Sequence, residues 1–328
     1  MGHSDTQDHL ATHAEGQENA QRVSELMFSD LYLGHPTLGD RLANVPGEVA
    51  NPVMAGPELK ADLQELLAAC HKGKQESLSG TDFRLDYDGV KYRVSVMPSV
   101  QGEVFVLRKM TQTLKTLKEL RIPTMYAEAL LAPNMTGLLL VSGAMNSGKT
   151  STACALMREL LLKYGGVGVT SEDPIELPLE GQHGTGVCFQ TQVAKSYAES
   201  AKNVVRWGAK YIFIGEIRDG AVAVEALRAG VNGHLVISTI HADSHLNTLR
   251  RIQAMANESF EPAAAQALLA DGLAGVFHQK LSEEPRRLTC ELLMVKGQAS
   301  VMNKVRLGQF EQLATEINMQ QANLIMKN

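Results

Sequence analysis

The chain has only four cysteines, Cys70, Cys154, Cys188 and Cys290, and no two of them form a C-x-x-C pair. The sequence therefore offers no two neighbouring thiolates to one zinc ion, and its cysteines read as free, mostly buried thiols in a reducing compartment. No run of 18 apolar residues occurs, which excludes an ordinary membrane-spanning helix. The N-terminus lacks the charged-then-apolar order of a signal peptide, so the chain is expected to be made and kept in the cytoplasm. A basic excess is missing too. With 31 Lys and Arg against 36 Asp and Glu, the net charge is -5. Bulk charge of that sign draws neither nucleic acid nor anionic lipid, and no direct nucleic-acid binding is expected. The opening Met1-Gly2-His3-Ser4-Asp5-Thr6 fits a myristoylation pattern that is too short to carry weight.

What is present is globular: 44% hydrophobic and 20% charged residues in 328, enough length for two ordinary domains. Residues 1–22 are polar and read as a flexible tail, with His3, His9 and His13 solvated rather than metal-bound. Val23, Leu26, Met27 and Leu31 then recur at helical spacing, and Pro36, Pro46, Pro52 and Pro57 punctuate a loop-rich stretch. Residues 58–70 read as a helix with Leu59, Leu63, Leu66 and Leu67 on one stripe. Residues 83–87 and 90–96 flank Asp88-Gly89, a strong hairpin signal because such turns need positive φ. Alternation resumes over 103–109. The expectation is a smaller α+β domain over 23–110, a linker at 111–122 and a second domain over 123–328.

The second domain has a different texture. Residues 137–142 (GLLLVS), 167–173 (VGVTSED), 211–216 (YIFIGE) and 234–240 (HLVISTI) are nearly continuous apolar runs, as expected of parallel strands buried on both faces. Helical segments separate most of them, among them 150–164 and one that Asp219 can cap. This alternation predicts a doubly wound α/β sheet, whose ligands sit beyond the carboxyl ends of the strands. From Glu261 onward the chain reads as mostly helical.

At the end of the first of these strands stands Gly143-Ala144-Met145-Asn146-Ser147-Gly148-Lys149-Thr150, a G-x-x-x-x-G-K-[ST] phosphate loop. Glycines let backbone N–H groups wrap phosphates while the next helix presents its positive N-terminus. Lys149 is expected on the β/γ-phosphates and Thr150 on Mg²⁺. Asn146 stands where many such loops have glycine. It tolerates left-handed geometry better than most residues, and is a reason to expect altered loop geometry or a modest turnover. Glu216 ends an apolar strand, where it either holds Mg²⁺ or orients a water, or merely caps the next helix. Ser171-Glu172-Asp173-Pro174-Ile175-Glu176 is a further acidic cluster past a strand, and Glu176 is either part of it or simply solvated. His234 and His241 bracket another strand. A lone His is usually a satisfied polar residue, but His241, at the carboxyl end, is placed to sense a γ-phosphate.

Taken in order, these stretches resemble the four signatures of the secretion ATPase superfamily of type II secretion, type IV pili and type IV secretion. They are a Walker A loop at 143–151, including Ser151, an Asp box at 171–176, a Walker B strand at 211–219 and a His box at 233–243. Residues 29–33 resemble the start of the family's PAS-like N-terminal domain. The resemblance implies a RecA-like C-terminal ATPase domain and an ATP- and Mg²⁺-dependent homohexamer. Such a ring would act beside the inner membrane on the components of a pilus or secretion machine. It also implies Glu216 as the Walker B glutamate, Glu172 as the Asp-box glutamate and Thr150, Glu172 and Glu216 around the metal. His234 and His241 take the His-box positions. Arg93, Arg108 and Arg206 fall where family arginines reach a nucleotide, in some cases a neighbouring subunit's. Without the four-cysteine zinc module or extra N-terminal domain of pilus-assembly and type II secretion ATPases, the chain resembles the compact retraction-type motors or those of type IVB secretion and conjugation. Residues 299–306 resemble the retraction motor's characteristic stretch only loosely. The rivals are a small-molecule P-loop kinase and a nucleotide-gated docking protein that barely hydrolyses ATP.

Overall fold

The computed structural model describes residues 21–77, 80–110, 113–193, 196–282 and 287–327. The polar tail and its histidines, through residue 20, lie outside the described residues, as do Thr111 and Gln112 of the expected linker. The chain divides into two compact units, the first running to Lys109 except for Asp82–Arg84, and the second made of those three residues and the chain from Met110.

The first unit holds strands β1 (Asp30–Leu33), β2 (Arg41–Ala43) and β3 (Val53–Met54), helix α1 (Lys60–Glu76), and strands β4 (Asp82–Tyr87), β5 (Val90–Ser99) and β6 (Gly102–Lys109). They form a sheet of order β3-β2-β1-β6-β5-β4. At the β4–β5 turn Asp88 and Gly89 have φ of 48° and 72°, as the hairpin signal requires. The helix expected from Val23 is absent. Its residues form a 3₁₀ turn (Val23–Glu25) followed by β1. Leu31 and Leu33 are both fully buried, so strand alternation overrides the helical spacing.

The second unit contains α2 (Thr124–Leu130), β7 (Gly137–Gly143), α3 (Lys149–Tyr164), β8 (Gly166–Glu172), β9 (Gly181–His183), β10 (Gly186–Gln192), α4 (Tyr197–Arg206) and β11 (Tyr211–Glu216). It continues with α5 (Gly220–Val231), β12 (Leu235–His241), α6 (His245–Asn257), α7 (Pro262–Gly272), β13 (Leu273–Ser282), β14 (Arg287–Met294), α8 (Ala299–Arg306) and α9 (Leu313–Lys327). Its eight-stranded sheet has the order β14-β13-β7-β12-β11-β8-β10-β9. The six inner strands are parallel to their neighbours, and β14 and β9 run antiparallel at the edges.

The apolar runs are continuous because alternate residues serve two cores. On β7, Leu138 and Leu140 enter the cluster shared with α4–α8, while Leu139 and Val141 enter the one shared with α2 and α3. All four are fully buried, each contributing roughly 1.5–3 kcal/mol of transfer free energy. Leu117 and Ile122, from the stretch read as a linker, belong to that second core. Ser196, Asp219 and Ser244 accept backbone N–H bonds as caps of α4, α5 and α6. The final third differs from expectation: it contains the antiparallel pair β13–β14, with β13 parallel to the P-loop strand β7. Leu273, Ala274, Val276 and Phe277 are buried, and a short apolar run of that kind has no periodicity to separate strand from helix.

Candidate nucleotide site

The order β7-β12-β11-β8 lines up, at one edge of the sheet, the segments that sequence reasoning singled out. His241 is in register with Gly143, and Thr239 with Glu216. Glu172 closes β8, two strands from β12.

The loop between β7 and α3 depends on two backbone requirements. A Cβ on Gly143 would stand 2.3 Å from the Gln279 carbonyl oxygen and 2.6 Å from Ser147 Oγ, so only glycine fits. Asn146 and Gly148 adopt φ of 60° and 84°. Asn146 thus takes the left-handed conformation that glycine would otherwise supply, and the loop closes with Ser147 N–H donating to the Ala144 carbonyl. The first N–H groups of α3 have no partner within the helix and face the loop with its positive dipole end.

Lys149 is 7% exposed. Its ammonium donates to the Ala144 carbonyl (2.7 Å) and to His241 Nδ1 (3.2 Å). Burial lowers its pKa, opposed by the Glu216 and Glu176 carboxylates. An ammonium has only donors, so His241 Nδ1 must be the acceptor and Nε2 carries the imidazole proton. That nitrogen stands 3.5 Å from Glu216 Oε1. Burial first, then Lys149, lowers the His241 pKa and keeps the ring neutral. The other Glu216 oxygen accepts from Arg218 Nε at 2.9 Å. Lys149, His241, Glu216 and Arg218 thus form one polar chain across three strand ends.

Glu172 is held differently. It is 2% exposed, accepts from Gln190 Nε2 at 2.9 Å, and burial pushes its carboxyl up to about 7. Thr150 lies in the first turn of α3, and the acidic Glu176 is exposed. The candidate metal donors Thr150, Glu216 and Glu172 are all oxygen, the chemistry Mg²⁺ prefers. The buried ammonium and the freed loop amides fit phosphate. Beside the loop lies a cavity of about 580 Å³, lined by Ser147, Gly148, Ser151 and Gln279 and by apolar Leu114, Leu177 and Leu288.

The other predicted residues lie elsewhere. His234 precedes β12 at its amino end, seven residues and roughly 23 Å of strand from His241. Its Nδ1 is 2.8 Å from the Ala209 carbonyl. Arg206 ends α4 and lines a cleft with Lys202 and Arg228 at that same edge. Neither reaches its own chain's loop. Arg93 and Arg108 are cross-strand partners on β5 and β6 of the first unit, and Arg108 pairs with Asp30 at 2.8 Å. Sequence reasoning did not single out Gln279, Gln190 or Arg218. Arg218 lay inside the quoted Walker B stretch, whereas Gln279 sits on a strand whose segment reads as helical.

A glycine loop between a buried parallel strand and a helix, with an acid and a histidine ending the adjoining strands, defines a P-loop nucleotide-binding protein. The sequence pattern of the Type II/IV secretion system protein family matches residues 79–320, and the chain belongs to that family. It is 33% identical over 202 residues to the putative type II secretion system protein E of Escherichia coli K12, covering 60% of this chain and 39% of that protein. It is 32% identical over 186 residues to the type IV pilus assembly ATPase PilB of Acinetobacter baylyi, covering 55% and 31%. The chain thus spans about two fifths or less of these curated relatives. Among solved structures, the pilus retraction motor PilT with bound ADP aligns at a TM-score of 0.73 and 26% identity over 90% of this chain and 87% of that one. The Legionella pneumophila ATPase DotB aligns at 0.70 and 21%, over 88% and 84%, a likeness of fold alone.

Proposed function

We propose that the chain is a Mg²⁺-dependent ATP hydrolase that works as a homohexameric ring motor on the cytoplasmic side of the inner membrane, driving a type IV secretion, conjugation or type IV pilus machine. The observation that carries this reading is the Lys149–His241–Glu216 chain beside the phosphate loop. Backbone amides of residues 143–151 and Lys149 bind the phosphates, releasing Lys149 from Ala144 and His241. Mg²⁺, when bound, supplies charge neutralisation between Thr150 and the acidic strand ends. Glu216 accepts a proton from the attacking water, and His241 Nε2–H positions that carboxylate or reports the γ-phosphate. Buried Glu172, titrating near neutrality, is suited to share a proton with that network.

His234, Arg93, Arg108 and Arg206 do not serve their own loop in this reading; they are candidates to meet a neighbouring subunit's nucleotide, which would link turnover to subunit movement. The alignment with PilT over 90% of the chain supports a compact motor, and the choice between retraction and secretion is one a deletion strain assayed for twitching and export decides. The direct test is Mg²⁺-dependent ATP turnover of the wild type and Glu216→Gln, with sedimentation alongside. Turnover should fall on the order of 100-fold or more with nucleotide binding and ring assembly retained. Unchanged turnover with failed assembly would assign the site a docking role instead.

A further inference from the structure

Gln279 stands at the wall between strand β13 and the phosphate loop, and half of its carboxamide has work in the described structure. Its Nε2 donates to the Ser147 carbonyl, a bond across 132 residues of sequence. Because that carbonyl can only accept, the nitrogen must face it, and the assignment of the two carboxamide ends follows from chemistry. Oε1 is then the other end. It is buried and has no hydrogen-bond partner among the described residues, in a side chain only 1% exposed. A buried acceptor left without a donor is costly, and such atoms in native folds usually await a ligand or an ordered water.

The surroundings say what kind of ligand. Gln279 lines the cavity of about 580 Å³ that also touches Ser147, Gly148 and Ser151 of the loop and the first turn of α3. Beyond those polar groups Leu114, Leu120, Leu177, Leu281 and Leu288 share the walls with the charged Lys115, Glu119 and Arg121, a mixed slot that offers apolar faces to a heterocycle and polar partners to the groups it carries. The side chain has little freedom to turn away. The Gln279 main-chain carbonyl oxygen stands 2.3 Å from where a Gly143 Cβ would be, which sets the β13 backbone against the loop, and the side chain is held through its Nε2, bonded to the Ser147 carbonyl and 3.4 Å from where a Gly148 Cβ would be.

We propose that Gln279 is a specificity-determining residue whose Oε1 accepts a hydrogen bond from the nucleoside half of the bound nucleotide, from either a ribose hydroxyl or an exocyclic amino group of the base. This rests on the reading of residues 143–151 as a nucleotide site. The same side chain, through Nε2, ties β13 to the loop, so nucleoside recognition is connected to the backbone that holds the phosphates. A site built around an unfilled acceptor discriminates against ligands lacking the donor, because they leave the acceptor unpaired.

The test measures dissociation constants of the full chain for ADP and for analogues that each lack one donor: 2′-deoxy-ADP, 3′-deoxy-ADP and purine riboside diphosphate, which lacks the 6-amino group. The wild type should bind one of these on the order of 10-fold more weakly than ADP, and the affected analogue identifies the donor. In Gln279→Met, ADP should weaken by a similar factor and the difference between ADP and that analogue should vanish. This arm is read alongside thermal melting, to separate it from a folding defect. The analogue series on the wild type needs no variant: equal affinity for all four ligands, within twofold, overturns the proposal. Failure of the wild type to bind ADP at all refutes the nucleotide reading itself, and the inference falls with it.

Discussion

His241 and His234 come from one short sequence box and flank one strand, yet their surroundings share nothing. At the carboxyl end of β12, His241 accepts from Lys149 and faces Glu216. At the amino end, His234 is 2.8 Å from the Ala209 carbonyl, with Arg206 three residues before that contact. In a parallel sheet the strand ends are not equivalent. Loops at the carboxyl ends gather the helix N-termini and their free amides, so anion chemistry collects there. Two similar residues on opposite sides of that divide must therefore have different duties, whatever their motif implies.

The largest effect that would break this distinction belongs to Lys149. Lys149→Ala removes the buried cation from the carboxyl end, and nucleotide affinity measured by calorimetry should fall on the order of 100-fold; a small loss would mean the phosphates bind elsewhere. Next comes Glu172, whose carboxyl burial pushes up to about 7. In nucleotide-free protein the folded state then holds a proton that the unfolded state has lost above about pH 4.5. Its contribution therefore weakens stability as pH rises from about 4.5 to 7 and stays level above that. Glu172→Gln should remove this slope, so its unfolding free energy relative to wild type should improve by on the order of 1–3 kcal/mol between pH 5 and 8, measured by denaturant melts. His245, which burial pushes down to about 4, has the opposite slope: it costs stability as pH falls from about 6.5 toward 4. The difference between wild type and variant, rather than either curve alone, therefore isolates Glu172.

The smallest effect belongs to Asn146. Its φ of 60° is already the conformation glycine adopts, so Asn146→Gly should change stability by less than about 1 kcal/mol. Asn146→Val, β-branched, should cost more than that by thermal melting, since left-handed backbone is strained for such residues.

Much of the carboxyl edge was legible because it is tied to local pattern. The loop needs glycines at fixed places, and apolar runs ending in Glu172, Glu216 or His241 announce strands that stop at a polar edge. What stayed hidden was contributed from far along the chain. Gln279 arrives on β13, which continuous burial disguises as helix, and Gln190 reaches Glu172 from β10. The early helix expected at Val23 failed for the related reason that Leu31 and Leu33 alternate into a core formed with strands distant in sequence. His241 was legible as the carboxyl-end histidine from the direction of its apolar run, whereas the partner of His234, the Ala209 carbonyl, comes from a different strand's approach and has no local signature.

The measurement closest to the central claim is steady-state ATP turnover by His241→Ala and His234→Ala, side by side in the same Mg²⁺-containing buffer and both normalised to folded protein. The His241 variant should lose on the order of 10-fold or more in kcat, while the His234 variant stays within roughly threefold of wild type. Equal losses in the two variants, or a larger one for His234, would contradict the assignment of the chemistry to the carboxyl end of the sheet.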